Sequence, residues 1–282
     1  MKKLLLSAFV ICLAGTSIAQ ESPLWMRHCA LSPDGTTIAF TYKGDIYTVP
    51  STGGRATQIT TNPAFDTEPV WSPDSKQIAF ASDRMGSLDV FVVSSEGGAP
   101  QRLTTHSGSE KPVAYKDNKH ILFTANIAPS AEDAGFPSGQ FQQVYEVAVT
   151  GGRPAMFSSM PMECISINKE GVMLYQDKKG YEDYWRKHQV SPIARDIWTY
   201  TPGKKPVYQK QTTFGGEDRE PVWSPDGKSF YYLSEEKGSF NIFQRTPGTT
   251  TSQQITFHTK HPVRFLSIST TGTLCYLSLI HI

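Results

Sequence analysis

Apolar residues in this chain come in short bursts rich in β-branched and aromatic side chains, each bounded by Pro, Gly, Asn or Asp. The bursts repeat. Ser32-Pro33-Asp34-Gly35 leads into Ile38-Ala39-Phe40, Ser72-Pro73-Asp74-Ser75 into Ile78-Ala79-Phe80, and Ser224-Pro225-Asp226-Gly227 into Phe230-Tyr231-Tyr232. Pro presets φ and Gly or Asn tolerates a left-handed backbone, so each motif reads as a hairpin turn between two strands. Weaker copies of the turn stand at Asp117-Asn118, Glu170-Gly171 and Thr271-Gly272. A third strand opens on Asp or Asn at Asp45, Asp89, Asp196 and Asn241. A second turn carries Gly53-Gly54, Gly97-Gly98 or Gly151-Gly152 before a fourth strand such as Gln58-Ile59-Thr60. Helical periodicity is not sustained over several turns anywhere.

The turn position falls at 35, 75, 118, 171, 227 and 272, giving intervals of 40, 43, 53, 56 and 45 residues. A period of roughly 40–45 residues is that of one four-stranded propeller blade. The expectation is an all-β, six-bladed β-propeller over residues 20–276, its sixth blade incomplete and cut in the second strand. Residues 277–282 do not continue the repeat and are expected to be non-native. A broken sixth blade would expose an apolar edge and leave Trp25 and Met26 poorly covered, a template for self-association.

Strand parity sorts the two faces. The Pro-Asp-Gly and Gly-Gly turns share one face. The blade links and both long insertions, 126–142 and 178–195, share the other. Glu68, Lys111 and Glu220 occupy one repeat position just before the apolar part of a first strand, and first strands line a propeller's channel. With Arg27, His28 and Glu163 they are candidates for a charged ring at the channel mouth, and Glu68 and Glu220 are expected to be exposed enough for charge reversal to cost little stability. Tyr181, Tyr184 and Trp185, in the second insertion, are candidates for a docking loop.

Composition narrows the picture by exclusion. A net charge of +1 gives no reason to expect nucleic acid. Lys2-Lys3, the apolar run Leu4 to Leu13 and Ser17-Ile18-Ala19 read as a secretory signal peptide over residues 1–19, implying a periplasmic or extracellular protein with no membrane anchor. Cys29, Cys164 and Cys275 then remain, widely spaced, and are expected to be free thiols. No nucleophile elbow, zinc helix or phosphate loop is present. The recurring Asp34, Asp74, Asp117 and Asp226 lack the closely spaced oxygen ligands of a calcium loop. No catalytic residue, metal or cofactor is expected.

The repeat wording Pro-Val-Trp-Ser-Pro-Asp-Gly, Ile-Ala-Phe and Asp-Ile-Tyr resembles the TolB-like propeller repeat. Phe80-Ala81-Ser82-Asp83-Arg84, the stretch from Tyr175 to Asp183, and Lys260-His261-Pro262-Val263-Arg264-Phe265 narrow the resemblance to the N-terminal propeller of bacterial tricorn-type serine peptidases, over residues 24 to 276. That resemblance implies a substrate-guiding or docking module of a larger exported peptidase. Its partners would be downstream PDZ-like and catalytic modules of the same protein and peptide substrates, with homo-oligomers open. A TolB-like protein-binding scaffold and the propeller of a prolyl-oligopeptidase-type hydrolase are the alternatives.

Overall fold

The computed structural model describes residues 25–127, 142–180 and 190–278. These form five four-stranded antiparallel sheets and one two-stranded sheet, each built from strands consecutive in the chain. Blade one comprises Arg27–Leu31, Thr37–Tyr42, Asp45–Pro50 and Thr57–Gln58; blade two Asp66–Trp71, Gln77–Ser82, Asp89–Ser94 and Gln101–Arg102; blade three Lys111–Asp117, His120–Ala125, Gln143–Ala148 and Ala155–Ser158. Blade four comprises Met162–Ile167, Met173–Asp177, Ile197–Thr201 and Val207–Lys210; blade five Asp218–Trp223, Phe230–Ser234, Asn241–Arg245 and Ser252–Gln254. The sixth sheet has two strands among the described residues, Val263–Ile268 and Leu274–Ser278. Six units are therefore present, but five are complete blades. First strands touch their neighbours in sequence around a ring, and the first strand of blade six returns to that of blade one.

The turn motif shows why it recurs. In Ser32-Pro33-Asp34, the Ser hydroxyl donates to the Asp carboxylate at 2.5 Å, and the same carboxylate accepts the Thr36 amide at 2.9 Å. Ser72–Asp74 and Ser224–Asp226 repeat this at 2.7 and 2.6 Å. Hydrogen bonds to the ionised form hold Asp34, Asp74 and Asp226 below the usual carboxylate range. These carboxylates are occupied in shaping turns. The turns also link blades: the Asp34 amide donates to Ser75 Oγ and the Asp74 amide to Asn118 Oδ1, both at 3.1 Å.

A second recurring device closes the outer hairpins of blades one, two, four and five. The amide following the third-strand Asp or Asn donates to a Thr hydroxyl from the fourth strand's end: Ile46 to Thr60, Val90 to Thr104, Ile197 to Thr212 and Ile242 to Thr256, at 2.9–3.0 Å.

Blades pack face to face through apolar clusters. Ile46, Ile59, Trp71 and Ile78 join blades one and two; Val90, Leu103, Tyr115 and Phe123 join two and three. Leu122, Met162 and Tyr175 join three and four, Leu174, Trp223 and Phe230 four and five, and Leu233, Ile242, Val263 and Leu266 five and six. Each large side chain buried this way contributes roughly 1.5–3 kcal/mol. The seam between blades six and one is stitched by other means: Leu31 N to Ser267 Oγ at 3.0 Å, Thr270 N to Pro33 O at 2.7 Å, and the His28 and Phe265 rings with centroids 4.8 Å apart. Trp25, just ahead of the first strand of blade one, is 70% exposed.

Candidate functional site

The seventh residue before each turn position begins the inner course of a first strand: His28, Glu68, Lys111, Cys164, Glu220 and Phe265. In five of these six, the strand bulges there. Two residues of the first strand stand opposite one of the second: His28-Cys29, Glu68-Pro69, Cys164-Ile165, Glu220-Pro221 and Phe265-Leu266 fall between consecutive paired positions. The first residue of each pair is left-handed, with φ of 51°, 56°, 52°, 50° and 59°. Such a conformation costs a non-glycine residue on the order of 1–2 kcal/mol, so its fivefold repetition marks a designed feature of the strand. Blade three differs. There Lys111 pairs in register with Thr124, and two irregularities lie further along, between the Phe123 and Leu122 pairings and between the Ile121 and His120 pairings.

These side chains share one electrostatic environment. Burial lowers the His28 pKa; Glu68 and Glu220 oppose the shift, while Lys111 and Arg27 add to it. The imidazole is thus neutral at pH 7. Cys164 is exposed on its strand, yet desolvation inside the ring pushes its thiol up, reinforced by Glu220, Glu163 and Glu68 and opposed by Arg195. Groups from blades one to five therefore act on each other across a common axis. Lys111 Nζ contacts Glu68 Oε1 at 2.5 Å, with both side chains partly exposed. Glu220 is buried. Its Oε2 accepts the Leu266 amide at 2.8 Å from blade six, and its own amide donates to Gln176 Oε1 at 2.9 Å in blade four.

A second tier lies one residue earlier, at Arg27, Thr67, Glu110, Glu163, Arg219 and Arg264. Glu163 accepts from Arg195 Nε at 3.1 Å and Gln176 Nε2 at 3.0 Å, and pairs with Lys178 at 3.1 Å. Burial raises its pKa, but the Arg195 and Lys178 charges outweigh that and hold it below the usual range. Arg195 reaches Glu217 at 3.5 Å, which also pairs with the fully buried Arg219 at 2.8 Å. Beside Arg27 and His28, a cavity of about 410 Å³ opens between blades one and two, walled by the exposed Trp25 and Phe65 and by Lys43 and Thr67.

Of the residues singled out from sequence, His28, Glu68, Lys111 and Glu220 share the ring position. Arg27 and Glu163 occupy the tier next to it; the residue of blade four on the ring is Cys164. Phe265 completes the set. Counting back seven residues from each turn finds both, whereas following charge alone leads to Glu163. The expectation that Glu220 is exposed does not hold, because the neighbouring blade uses its carboxylate as a backbone acceptor. Tyr181, Tyr184 and Trp185 lie outside the described residues.

Bulged first strands around an axis, four-stranded blades and Ser-Pro-Asp turns define a β-propeller of the kind shared by TolB and several peptidases. Residues 23–279 match the family of tricorn protease N-terminal β-propeller domains, and the chain belongs to that family. It is 39% identical over 213 residues to tricorn protease homolog 1 of Streptomyces coelicolor, a match covering 75% of this chain and 19% of that protein. An uncharacterised peptidase of Bacillus subtilis, YuxL, is 32% identical over 108 residues, 34% of this chain and 16% of that one. The chain thus spans under a fifth of the length of either relative. In fold it superposes on a crystal structure of the tricorn protease with a TM-score of 0.72 at 17% identity, over 91% of this chain and 25% of that one. TolB of Acinetobacter baumannii gives 0.56 at 18% identity, over 78% and 51%. No helix among the described residues is long and apolar enough to cross a membrane.

Proposed function

We propose that this propeller is the substrate-guiding module of an exported tricorn-type serine peptidase, the proteolytic chemistry residing in modules downstream. The observation that carries this reading is the ring itself: chemically different side chains presented at one repeated backbone position around a common axis, with a largely apolar cavity beside it. An extended peptide entering there would meet the Glu68–Lys111 pair, the neutral His28 and the Phe265 ring in turn. Two carboxylates against one ammonium favour a cationic segment at this level.

The test uses the full-length protein. Glu68→Lys is expected to lower kcat/KM for Lys/Arg-rich peptides relative to Asp/Glu-rich ones by about threefold, the scale of a partly exposed charge pair, with thermal stability nearly unchanged. An unaltered ratio together with an unaltered Tm overturns the guiding role. Retention of full peptidase activity on deletion of the propeller, with loss of a protein partner in pull-downs, would favour a TolB-like binding scaffold instead.

A further inference from the structure

The seam between blades six and one brings together two thiols 246 positions apart. Cys29 is the second residue of the blade-one bulge, and its Sγ lies 3.4 Å from the Phe265 carbonyl. Cys275 stands opposite Ser267 in the two-stranded sheet, and Ser267 Oγ accepts the Leu31 amide at 3.0 Å. First strand of blade one and second strand of blade six are in contact. The two thiols thus face the same gap, and each interacts with the other: Cys275 is lowered by its hydrogen bond with Cys29, and Cys29 is raised by the same contact and by burial. Both are half-buried, within reach of a small reagent. Cys164, across the channel, shares none of these contacts.

We propose that Cys29 and Cys275 form a disulfide that covalently closes the propeller ring. Among the described residues every blade is built from consecutive strands and none is exchanged between the two ends of the ring; a bond at this seam would supply a covalent clasp. The oxidant is a small-molecule or protein disulfide. Cys275, as thiolate, attacks one of its sulfurs and expels a thiol. Cys29 then loses its proton, attacks the Cys275 sulfur of the mixed disulfide and expels the second thiol. One disulfide is reduced to two thiols as two protein thiols become one disulfide. Export would provide such an oxidising milieu, but the chemistry depends only on the seam geometry.

The experiment equilibrates the chain with oxidised and reduced glutathione, traps free thiols by alkylation and maps peptides by mass spectrometry without reduction. The expected result is an intramolecular Cys29–Cys275 cross-link with Cys164 alkylated, unchanged in Cys164→Ser and lost in Cys275→Ser. Closing so long a loop should raise Tm by roughly 5 °C or more over the reduced form. Alkylation of Cys29 and Cys275 in excess oxidised glutathione, or a cross-link that uses Cys164 or joins two chains, would overturn the proposal. Localisation of the intact protein is a separate readout: a cytoplasmic protein that still cross-links in vitro would refute export and leave the thiol pair standing.

Discussion

Blades two and five are written in nearly the same words, Asp-x-Glu-Pro-Val-Trp-Ser-Pro-Asp, yet their acidic residues live in opposite circumstances. In blade two, Asp66 is fully buried, and Arg84 Nη2 bridges both its oxygens at 2.9 Å. The matching position in blade five holds Glu236. Without that arginine, burial pushes Asp218 up to about 7, helped by Asp196 and Glu236 and only partly offset by the nearby Ser234 and Thr212 hydroxyls. On the ring, Glu68 meets an ammonium from the next blade, whereas Glu220 meets a backbone amide. A repeat therefore fixes where a side chain sits. The neighbouring blade decides what that side chain does.

The sharpest way to break this comparison is at the arginine. Arg84→Ala strands a fully buried carboxylate and should destabilise by ~3–5 kcal/mol in urea unfolding, while Glu236→Ala at the equivalent place should change stability little. A similar loss in both variants would mean that the two blades solve the problem alike.

On the ring the expected effects are smaller. Glu220→Ala leaves the Leu266 amide without its acceptor and should cost about 1–3 kcal/mol. Glu68→Ala removes only a partly exposed pair and should cost under about 1 kcal/mol, less still at high salt. Equal denaturant midpoints for the two variants would show that the inter-blade bond from Leu266 contributes nothing.

The subtlest effect is a slope. Asp218 has a folded pKa near 7, above its ordinary unfolded value, so its protonated form stabilises the fold. That contribution is complete below the unfolded pKa and is lost as pH rises toward and through 7, at no more than about 1.4 kcal/mol per pH unit. Asp218→Asn should flatten stability between pH 5 and 7, and so should Glu236→Arg, which recreates the blade-two pair. Urea midpoints measured across that range check it; parallel curves for wild type and Asp218→Asn would place the titration elsewhere.

Much of this architecture was legible beforehand because its cause is local. Pro, Asp and Gly at fixed offsets specify a turn whatever surrounds it, and six such turns at blade spacing imply a ring. The carboxylates of Asp34 and Asp226 are consumed within three residues of themselves, so their role is written beside them. What stayed hidden depends on other blades. Nothing next to Glu220 announces that Leu266, 46 residues away, will donate to it. Cys29 and Cys275 become neighbours only when the ring returns to its start. Cys164 is legible only by offset: the turn at Gly171 places it on the ring, whereas charge points one residue earlier, to Glu163.

The left-handed residue on the first-strand bulge also sets an alphabet. A β-branched side chain is strongly disfavoured at positive φ, so Val, Ile and Thr are shut out of five ring positions however apolar the lumen becomes. His, Glu, Cys and Phe, the residues found there, all branch beyond Cβ or not at all. The backbone strain is borne by the bulge and not by any particular side chain. Single codon changes can therefore retune the lumen from acidic to aromatic to thiol without rebuilding a strand, provided that the outgoing residue was not, like Glu220, also holding its neighbour in place.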